Sequence, residues 1–323
     1  MFTRGQAIDF IQSLYGTGTL SNQGLNISVV CPICSSNKTN IVTKRKLVIR
    51  TDNLMCHCWV CNYKARNLVN LIKRFHSARL REYIDGFADV KCLNDNSCKV
   101  ILLEKKLELP RGWRSMISNP RQAYYKYLQD RADPGTDMAD FVYYWKFGRS
   151  LEDQGLANRI IMPSFDENGE LNYYTARTII DTKPKYINAT VTREDVIFNE
   201  INIDWKQPLT IVEGPFDLIK CNWNATCLLG SNLTSDYKLF LKLLHHKTTV
   251  NLALDPDVSE KMLKIAASLH EYDIPVNIVT LPSGFSDVGE MTQSQFTKVL
   301  GTAKPYSRGL SLRTKIAGLL KNI

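Results

Sequence analysis

The strongest constraint on the fold is a pair of apolar, partly β-branched stretches that each end in carboxylates. One is Leu209–Asp217, Leu-Thr-Ile-Val-Glu-Gly-Pro-Phe-Asp, and the other is Thr249–Asp257, Thr-Val-Asn-Leu-Ala-Leu-Asp-Pro-Asp. Each has strand character and is followed by a helix-like segment, as in a parallel α/β sheet. The carboxyl ends of neighbouring strands in such a sheet meet at one crevice, so we expect both sets of acids to lie there.

Four acids follow these strands: Glu213, Asp217, Asp255 and Asp257. Clustered negative charges are unfavourable unless a cation lies between them, and hard divalent cations prefer oxygen ligands. The sequence therefore predicts a divalent metal site, although capping of a helix is an alternative for Asp217 alone. Asp287, in a later loop, could add a carboxylate or cap a helix.

The pattern after residue 208 alternates between strands and helices. It predicts strands at 209–213, 226–229, 249–255 and 276–281, and helices at 216–223, 235–245 and 258–271. This alternation is typical of a parallel sheet with helices on both sides. The predicted fold class is α/β for this region and α+β for the whole chain.

Two Cys-x-x-Cys pairs near the N terminus predict a second kind of metal site. They are Cys31-Pro-Ile-Cys34 and Cys58-Trp-Val-Cys61, and the β-forming runs 41–50 and 54–58 between them predict a hairpin. Four thiolates joined in this way are typical of a zinc ribbon, and a site with four protein ligands indicates structural zinc.

The residues around the second pair leave two questions open. Cys56 or His57 could join the zinc site, although the symmetric pairing favours the other four thiolates. Trp59 could stack on a base of single-stranded nucleic acid or pack beneath the zinc. The hairpin is basic, and the cations that could contact phosphates are Lys44, Arg45, Lys46 and Arg50.

A second basic cluster lies within residues 111–207. An Asn-Gly turn between two β-forming runs predicts a hairpin that places Arg159 and Arg177 on paired strands. Lys183 and Lys185 follow shortly after. Cations beside an acidic metal site would bind nucleotide phosphates or a template backbone.

The charge is distributed unevenly along the chain. The formal net charge is +9, of which residues 1–75 carry +8 and residues 304–323 carry +5, which leaves −4 for residues 76–303. Basic ends and an acidic centre fit a protein that binds a polyanion and holds cations at its centre, although basic faces are often only solvated.

Composition narrows the cellular setting. No apolar run approaches the ~18 residues of a membrane span, and the first residues lack the apolar segment of a secretion signal. Nine cysteines, several of them in Cys-x-x-Cys pairs, indicate metal binding in a reducing cytoplasm rather than disulfides.

The same patterns predict a division of the chain into five parts. They are a zinc-ribbon domain at 1–84, a linker at 85–110, a basic mixed α/β subdomain at 111–207, a domain with a parallel α/β sheet and the clustered acids at 208–303, and a basic tail, a candidate amphipathic helix, at 304–323.

In combination, these motifs resemble those of bacterial-type DNA primases. Glu213-Gly-Pro-Phe-Asp217 with Asp255-Pro-Asp257 is similar to the Toprim domain that primases share with topoisomerases and some nucleases. The four cysteines and the block Arg159…Arg177…Lys185-Tyr-Ile-Asn188 precede it in the same order as in the primases. The resemblance is greatest to the stand-alone primases of T-even-like tailed bacteriophages.

The chain departs from the bacterial pattern at three positions. Pro256 stands where the bacterial enzymes usually have glycine, Ala176 replaces a glycine often found before the arginine, and Cys34 stands where histidine is common. These departures affect the rim of the site rather than its chemistry.

The resemblance implies a Toprim fold and a function. Such an enzyme makes short RNA primers from ribonucleoside triphosphates on a single-stranded DNA template, with two or more Mg²⁺ or Mn²⁺ ions, in the host cytoplasm. Its partner is a hexameric replicative helicase, with a single-stranded-DNA-binding protein as a further candidate.

The resemblance also implies roles for individual residues. Glu213, Asp255 and Asp257 would be metal ligands with Asp217 close by. The basic ridge that binds nucleotide and template would comprise Arg159, Arg177 and Lys185. The alternatives are a Toprim nuclease or topoisomerase, and a non-catalytic replisome scaffold that only binds DNA.

Overall fold

The structure is a computed structural model that describes residues 3–36, 44–87, 106–118, 121–221, 223–307 and 309. The chain divides into two compact units, each described by itself below. Unit 1 comprises Met1–Glu104 and Ser235–His245, and unit 2 comprises Lys105–Thr234 and His246–Ile323. Among the helices of the described residues, none is both long and apolar enough to cross a bilayer.

Unit 1 is built on a five-stranded antiparallel sheet with the strand order β1-β2-β3-β4-β5. Its elements, in chain order, are α1 (Arg4–Tyr15), β1 (Thr19–Ser21), β2 (Asn26–Val30), α2 (Pro32–Ser36), β3 (Arg45–Arg50), β4 (Cys56–Cys58), β5 (Lys64–Ala65), α3 (Val69–Phe75) and α4 (Leu80–Phe87).

Helix α1 is capped at its N terminus and is amphipathic. The side chains of Thr3 and Gln6 form a capping box with each other's backbone N–H groups, and one helix face is buried. The buried residues are Ala7, Phe10, Ile11 and Leu14. The short strand β1 follows α1 and pairs with β2.

The zinc-ribbon hairpin is shorter than predicted within the described residues. β3 starts at Arg45, and residues 37–43 lie outside the described part of the chain. β4 starts at Cys56 rather than at Leu54, because Leu54 has a φ of 59° and ends the turn between the strands. Leu47 and Ile49 of β3 are buried, in line with the alternation expected of a half-buried strand.

The segment Ser235–His245 groups with unit 1 although it lies far away in the sequence. Asn67 Nδ2 donates to the Ser235 carbonyl at 2.6 Å, and Asn70 Nδ2 donates to Ser235 Oγ at 2.9 Å. The backbone N–H of Arg66 donates to Asp236 Oδ1 at 3.2 Å. The sequence contains no pattern that predicts this grouping.

Unit 2 contains two five-stranded sheets. The elements that follow α4 in the chain are β6 (Trp113–Ser115), α5 (Gln122–Gln129), α6 (Met138–Trp145), β7 (Gly148–Ser150), β8 (Arg159–Phe165), β9 (Leu171–Thr178), β10 (Tyr186–Asn188), β11 (Leu209–Val212), β12 (Ala225–Cys227), α7 (Lys238–His246), β13 (Val250–Leu252), α8 (Ser259–Glu271), β14 (Val276–Ile278), α9 (Gln293–Leu300) and β15 (Lys304–Pro305). Residues of α7 up to His245 belong to unit 1.

The first sheet of unit 2 is antiparallel, with the order β10-β9-β8-β7-β6. The predicted hairpin is present as β8 and β9. Arg159 lies opposite Thr178 and Ile160 lies opposite Arg177, so the two arginines are one position out of register. Because side chains alternate along a strand, they point to opposite faces of the sheet.

The second sheet has the order β12-β11-β13-β14-β15, in which the first four strands are parallel and β15 is antiparallel. All four residues of β11 and all three of β13 are buried, as expected for a parallel sheet covered on both faces. The four predicted strands are present but shorter than predicted. The fold is therefore α/β in this sheet and mixed α/β overall.

The predicted helix at 216–223 is wrong. The segment instead contains one 3-10 turn, Leu218–Lys220, and the chain is extended again at Cys221. Phe216 and every residue from Leu218 to Cys221 are buried, and consecutive buried positions cannot all lie on one face of a helix.

Two predicted segments fall largely outside the described residues. Helix α4 continues through Phe87, so the first residues of the predicted linker at 85–110 are helical. Residues 88–105, which include Cys92 and Cys98, lie outside the described part of the chain, as do residue 308 and residues 310–323 of the predicted tail helix.

Candidate zinc centre and active site

The four predicted cysteines of unit 1 converge. The Sγ atoms of Cys31, Cys34, Cys58 and Cys61 all lie within 4.8 Å of one another. The Sγ–Sγ distance is 3.9 Å for Cys31 and Cys61 and 3.6 Å for Cys34 and Cys58. A tetrahedral site with Zn–S bonds of about 2.3 Å has edges of about 3.8 Å, so the donor set fits zinc.

Adjacent secondary-structure elements bring these thiols together. Cys31 directly follows β2 and Cys34 lies in α2, whereas Cys58 ends β4 and Cys61 follows in the turn. Burial is the first cause that raises the pKa of the Cys34 thiol, to about 11. Burial also opposes ionisation of Cys58, but backbone N–H groups at Cys61 and Val60 outweigh it and lower the pKa of this thiol.

The two spare candidates do not belong to the cluster. Cys56 is buried, and burial raises the pKa of its thiol to about 12. His57 Nε2 is hydrogen-bonded to Asn62 Oδ1 at 3.1 Å. Within the described residues, four thiolates complete the donor set without either side chain.

The aromatic and basic side chains of the ribbon lie on its surface. Trp59 is 70% exposed and its ring contacts that of His57, with centroids 4.2 Å apart, so it does not pack beneath the cysteines. Lys44, Arg45, Lys46 and Arg50 are all exposed. Arg45 NH1 donates to Thr19 Oγ1, whereas the Arg50 guanidinium donates to both carboxylate oxygens of Asp52.

Unit 2 contains a cavity of about 480 Å³ that is lined by both signs of charge. Its acidic side chains are Glu213, Asp217, Asp255, Asp287 and Glu290, and its cationic side chains are Arg131, Arg177 and Lys185. Three of the four acids predicted from the sequence therefore share one cavity.

The strand ends position these acids. Glu213 directly follows β11, and Asp255 follows β13 by three residues. Asp217 Oδ2 accepts a hydrogen bond from the backbone N–H of Gly214 at 2.9 Å. A Cβ atom at Gly289 would lie 2.9 Å from Asp217 Oδ1, so a larger residue there would displace this carboxylate.

The acids carry uncompensated charge. Burial, reinforced by Asp217, Glu213 and the other nearby acids, raises the pKa of Asp255 to about 7. Burial is also the first cause that raises the pKa of Asp217 to about 6, and Asp287 adds to it. The pKa of Glu213 is raised by burial and by Asp257. Each shift thus reflects burial of the carboxylate first and, in addition, repulsion by neighbouring acids.

Two carboxylate oxygens of the site have no hydrogen-bond partner. They are Glu213 Oε2 and Asp255 Oδ1, and both atoms are buried. Buried acceptors are nearly always satisfied, so an unsatisfied pair on neighbouring strands fits a site for a cation. The residues present therefore fit the predicted divalent metal.

Asp257 is placed differently from the other predicted acids. It is exposed and does not line the cavity, although its charge contributes to the raised pKa values of Glu213 and Asp255. Among the described residues, only the four cysteines form a group of three or more possible ligands whose donor atoms all lie within 4.8 Å. The carboxylates thus share a cavity without being drawn that close, and their role as ligands stays a prediction.

Arg177 contacts the acidic motif directly. Its guanidinium lies 5.0 Å from the centroid of the Phe216 ring. In the sequence, Phe216 lies between Glu213 and Asp217. Arg177 Nε donates to Tyr127 Oη and its NH1 donates to Tyr186 Oη. Its positive charge counteracts the increase in the pKa of Asp217.

Arg159 does not line the cavity, contrary to its predicted place beside Arg177. It is 4% exposed, and its guanidinium donates to the backbone carbonyls of Pro184, Lys185 and Ala176 at 2.7, 3.3 and 3.4 Å. These contacts use its N–H groups to hold the β9–β10 connection. The one-residue offset between the arginines is the reason for this separation.

The two lysines of the block also differ. Lys185 lines the cavity, and its Nζ lies 5.8 Å from the centroid of the Tyr186 ring. Lys183 is exposed and outside the cavity lining.

The sequence analysis missed Arg131 and left the place of Asp287 open. Arg131 follows α5, and its guanidinium stacks 3.8 Å from the centroid of the Tyr127 ring. No motif marked it, and an arginine after a Tyr-rich helix is too weak a signal. Asp287 caps the turn, since its Oδ1 accepts from the backbone N–H of Glu290, and it also lines the cavity; its role as a metal ligand stays a prediction.

Comparison with known proteins points in one direction. No family model matches the chain. A DNA primase of Staphylococcus aureus is 25% identical over 173 residues, which cover 49% of this chain and 27% of that protein. A DNA primase of Clostridium acetobutylicum is 29% identical over 141 residues, which cover 39% of this chain and 23% of that protein. The aligned part thus spans about a quarter of the length of these relatives.

Among solved structures, the zinc-binding and RNA polymerase domains of Aquifex aeolicus primase match with a TM-score of 0.48 and 16% identity, over 95% of this chain and 87% of that chain. A DnaG primase catalytic domain bound to single-stranded DNA matches with a TM-score of 0.47 and 16% identity, over 59% of this chain and 74% of that chain. The curated proteins to which this chain is similar in sequence are thus bacterial DNA primases.

Proposed function

We propose that the protein is a DNA primase that synthesises short RNA primers on single-stranded DNA. The observation that carries this proposal is the cavity of unit 2, where buried, unpartnered oxygens of Glu213 and Asp255 share one space with Arg131 and Arg177. A site that combines anionic metal ligands with guanidinium groups suits the transfer of a nucleotide from a triphosphate. The sequence similarity to bacterial DNA primases supports the same activity.

The acids would hold the catalytic ions. Glu213 and Asp255 would bind Mg²⁺ or Mn²⁺, with Asp217 close by and Asp257 at the exposed edge, in a domain of the Toprim type. When bound, two or more such ions neutralise charge on the phosphates, promote loss of the 3′-hydroxyl proton and stabilise the departing pyrophosphate. Asp287 extends the predicted acidic set from a loop near the C terminus.

The cations would orient the nucleotide. Arg131 and Arg177 are held around Tyr127 and would bind the triphosphate, with Lys185 at the same cavity. Correct placement of the α-phosphorus near the attacking 3′-hydroxyl makes the reaction effectively unimolecular. Lys183, exposed near Lys185, would contact the template backbone. We leave Arg159 out of this set because its guanidinium is buried among carbonyl groups.

The zinc ribbon of unit 1 would bind the template. Trp59 exposes a ring on which a base could stack, and Lys44, Arg45 and Lys46 are exposed on the neighbouring strand and turn. Stacking combined with phosphate contacts is the usual mode of single-strand binding. Structural zinc held by the four cysteines would keep this surface folded.

The wider setting rests on the resemblance of the motifs alone. It favours a replicative hexameric helicase as partner, a single-stranded-DNA-binding protein as a further one, ribonucleoside triphosphates as substrates, and a role in phage DNA replication in the host cytoplasm. The resemblance to T-even-like phage primases belongs to the same proposal.

The test is an incubation of the protein with single-stranded DNA, labelled ribonucleoside triphosphates and Mg²⁺ or Mn²⁺. A primase yields template-dependent oligoribonucleotides, and their absence under both metals would refute the proposal. Cleaved DNA would indicate the nuclease or topoisomerase alternative. Binding without either product would indicate a scaffold.

A further inference from the structure

Lys220 is a buried lysine for which the proposed chemistry gives no role. It ends the 3-10 turn Leu218–Lys220, three residues after Asp217, and is 5% exposed. A buried ammonium group is unfavourable without a counter-charge. Its Nζ lies 3.3 Å from Asp133 Oδ1, and the side chains are 7% and 21% exposed. This pair is thus more buried than a surface ion pair and more sensitive to loss of one partner.

Asp133 connects this lysine to a third segment. Its second oxygen, Oδ2, accepts a hydrogen bond from the backbone N–H of Gln293 at 2.8 Å. Gln293 Nε2 in turn donates to the carbonyl of Cys221, the residue after Lys220, at 3.0 Å. These contacts therefore form a closed network that joins Asp133, Gln293 and the Lys220–Cys221 segment.

Each of the three segments also supplies a side chain to the cavity. Arg131 lies two residues before Asp133, and Glu290 lies three residues before Gln293. Asp217 lies three residues before Lys220. The ion pair and its hydrogen bonds thus join three segments that each supply a side chain to the cavity.

The charges next to Arg131 explain why Asp133 needs a partner. Two acids flank Arg131 closely in the sequence, Asp130 and Asp133. Asp130 is paired with Lys126 at 2.5 Å and Asp133 with Lys220, so neither acid is paired with the arginine. The Arg131 guanidinium lies instead over the Tyr127 ring, where it can meet an anion in the cavity.

We propose that Lys220 is a positioning residue for triphosphate binding: by neutralising Asp133, it leaves the Arg131 guanidinium available to the cavity. The role of this cavity in binding triphosphates rests on the proposed function. Without Lys220, the carboxylate of Asp133 has Arg131 as the nearest cation in the sequence. Arg131 would then turn towards Asp133 and away from the ligand.

The test measures binding of inorganic tripolyphosphate to the zinc-loaded, full-length protein by calorimetry, without added Mg²⁺ or Mn²⁺. We expect Lys220→Met to weaken binding by about tenfold to a hundredfold, the range that displacement of one positioned group produces. Lys220→Arg, which keeps the charge, should restore most of the affinity. Asp133→Asn should bind nearly as well as the unchanged protein, since it removes the competing anion.

The double variant Lys220→Met/Asp133→Asn separates positioning from simple stability. We expect it to regain the affinity that Lys220→Met loses, even if its melting temperature stays low. Equal losses in Lys220→Met, Asp133→Asn and the double variant would overturn the proposal, because they would indicate a structural contact only. The matched control is Lys106→Met, which breaks an exposed lysine–glutamate pair at 3.2 Å in the same unit and should leave binding unchanged.

Primer synthesis is measured separately on the same proteins. If Lys220→Met weakens tripolyphosphate binding but no variant makes primers, the positioning role stands and the proposed function fails. The opposite result is that the unchanged protein makes primers but Lys220→Met raises the KM for ribonucleoside triphosphates no more than Lys106→Met does. In that case the positioning role fails and the proposed function stands.

Discussion

The two predicted metal sites of this protein differ in how far the fold assembles them. In unit 1, four thiols lie within 4.8 Å of one another, three of them buried. In unit 2, the acids share a cavity of about 480 Å³ without forming so close a group, and oxygens of Glu213 and Asp255 are left without hydrogen bonds. The first site is closed by its own ligands, whereas the second faces open space and cationic side chains.

This difference separates a structural role from a chemical one. Zinc ionises the thiols as it binds, so folding of the ribbon is coupled to closure of four thiolates around the metal. Carboxylates repel one another, and burial together with this repulsion raises the pKa of Asp255 to about 7 and that of Asp217 to about 6. A cavity with unpartnered carboxylate oxygens and room for phosphates suits the exchange of ligands during a reaction.

Removal of zinc should have the largest effect. Structural zinc contributes ~10–16 kcal/mol of apparent binding free energy in small domains, which equals or exceeds the whole stability of a typical domain. We expect Cys58→Ser to bind no zinc, as measured by metal analysis. Unit 1 of this variant should also show no cooperative unfolding transition. Cys56→Ser is the matched control, because this buried thiol on the same strand is outside the cluster, and it should retain one zinc per chain. Loss of zinc from Cys56→Ser alone would contradict the assigned donor set.

Neutralisation of one acid of the cavity should stop chemistry without unfolding. Metal ions supply several kcal/mol of charge stabilisation in the transition state, so Asp255→Asn should reduce primer synthesis by about a thousandfold or more. Its circular dichroism and zinc content should match those of the unchanged protein. Asp181→Asn, an exposed carboxylate of the same unit, serves as control and should retain full activity. Undiminished synthesis by Asp255→Asn would exclude this residue as a catalytic ligand.

The effect of pH on the melting temperature should depend on whether Mg²⁺ is added to the zinc-loaded protein. The pKa values of Asp217 and Asp255 are raised from 3.8 by the fold, so their stabilising contribution is complete below about pH 4 and is lost as pH rises through 6 and 7. We expect the zinc-loaded protein without added Mg²⁺ to melt at a lower temperature at about pH 8 than at about pH 5 on this account.

Added Mg²⁺ should raise the melting temperature more at the higher pH, because the ion binds the deprotonated carboxylates. Asp255→Asn, measured by the same thermal scans, should weaken both trends. A Mg²⁺ effect of equal size at both pH values would contradict binding at these acids.

The smallest effect is expected from the basic surface of the ribbon. Each phosphate contact on a single strand contributes about 0.7 to the slope of log K against log salt. Replacement of Lys44 and Arg45 together by alanine should therefore reduce that slope by about 1.4, as measured by fluorescence anisotropy with labelled single-stranded DNA. Arg50→Ala should change it less, because Asp52 already neutralises this arginine. An unchanged slope in the double variant would remove the ribbon from the template path.

Much of the local structure could be predicted from the sequence. Helix α1 follows from its N-cap residue and from the spacing of its apolar residues. The four parallel strands and the four-cysteine set likewise follow from apolar runs and from Cys-x-x-Cys spacing, which are visible in the sequence. The acids after β11 and β13 were also predicted to converge, because parallel strands present their carboxyl ends at one edge.

Other features depended on contacts that no local pattern specifies. In the β8–β9 pair, Arg159 lies opposite Thr178 rather than opposite Arg177. Because of this offset of one residue, Arg159 is buried whereas Arg177 lines the cavity. The ion pair between Lys220 and Asp133 joins residues 87 apart in the chain. The grouping of Ser235–His245 with unit 1 also depends on contacts between residues far apart in the sequence.

The sequence by itself determined which residue types were available for metal and phosphate, since thiolates, carboxylates and guanidinium groups have fixed chemistry. The tertiary structure alone decided which of them meet. Side-chain direction alternates with every residue of a strand, and pairing across long stretches of chain depends on the packing of the whole unit, so a shift of one position moves a side chain from the site to the interior.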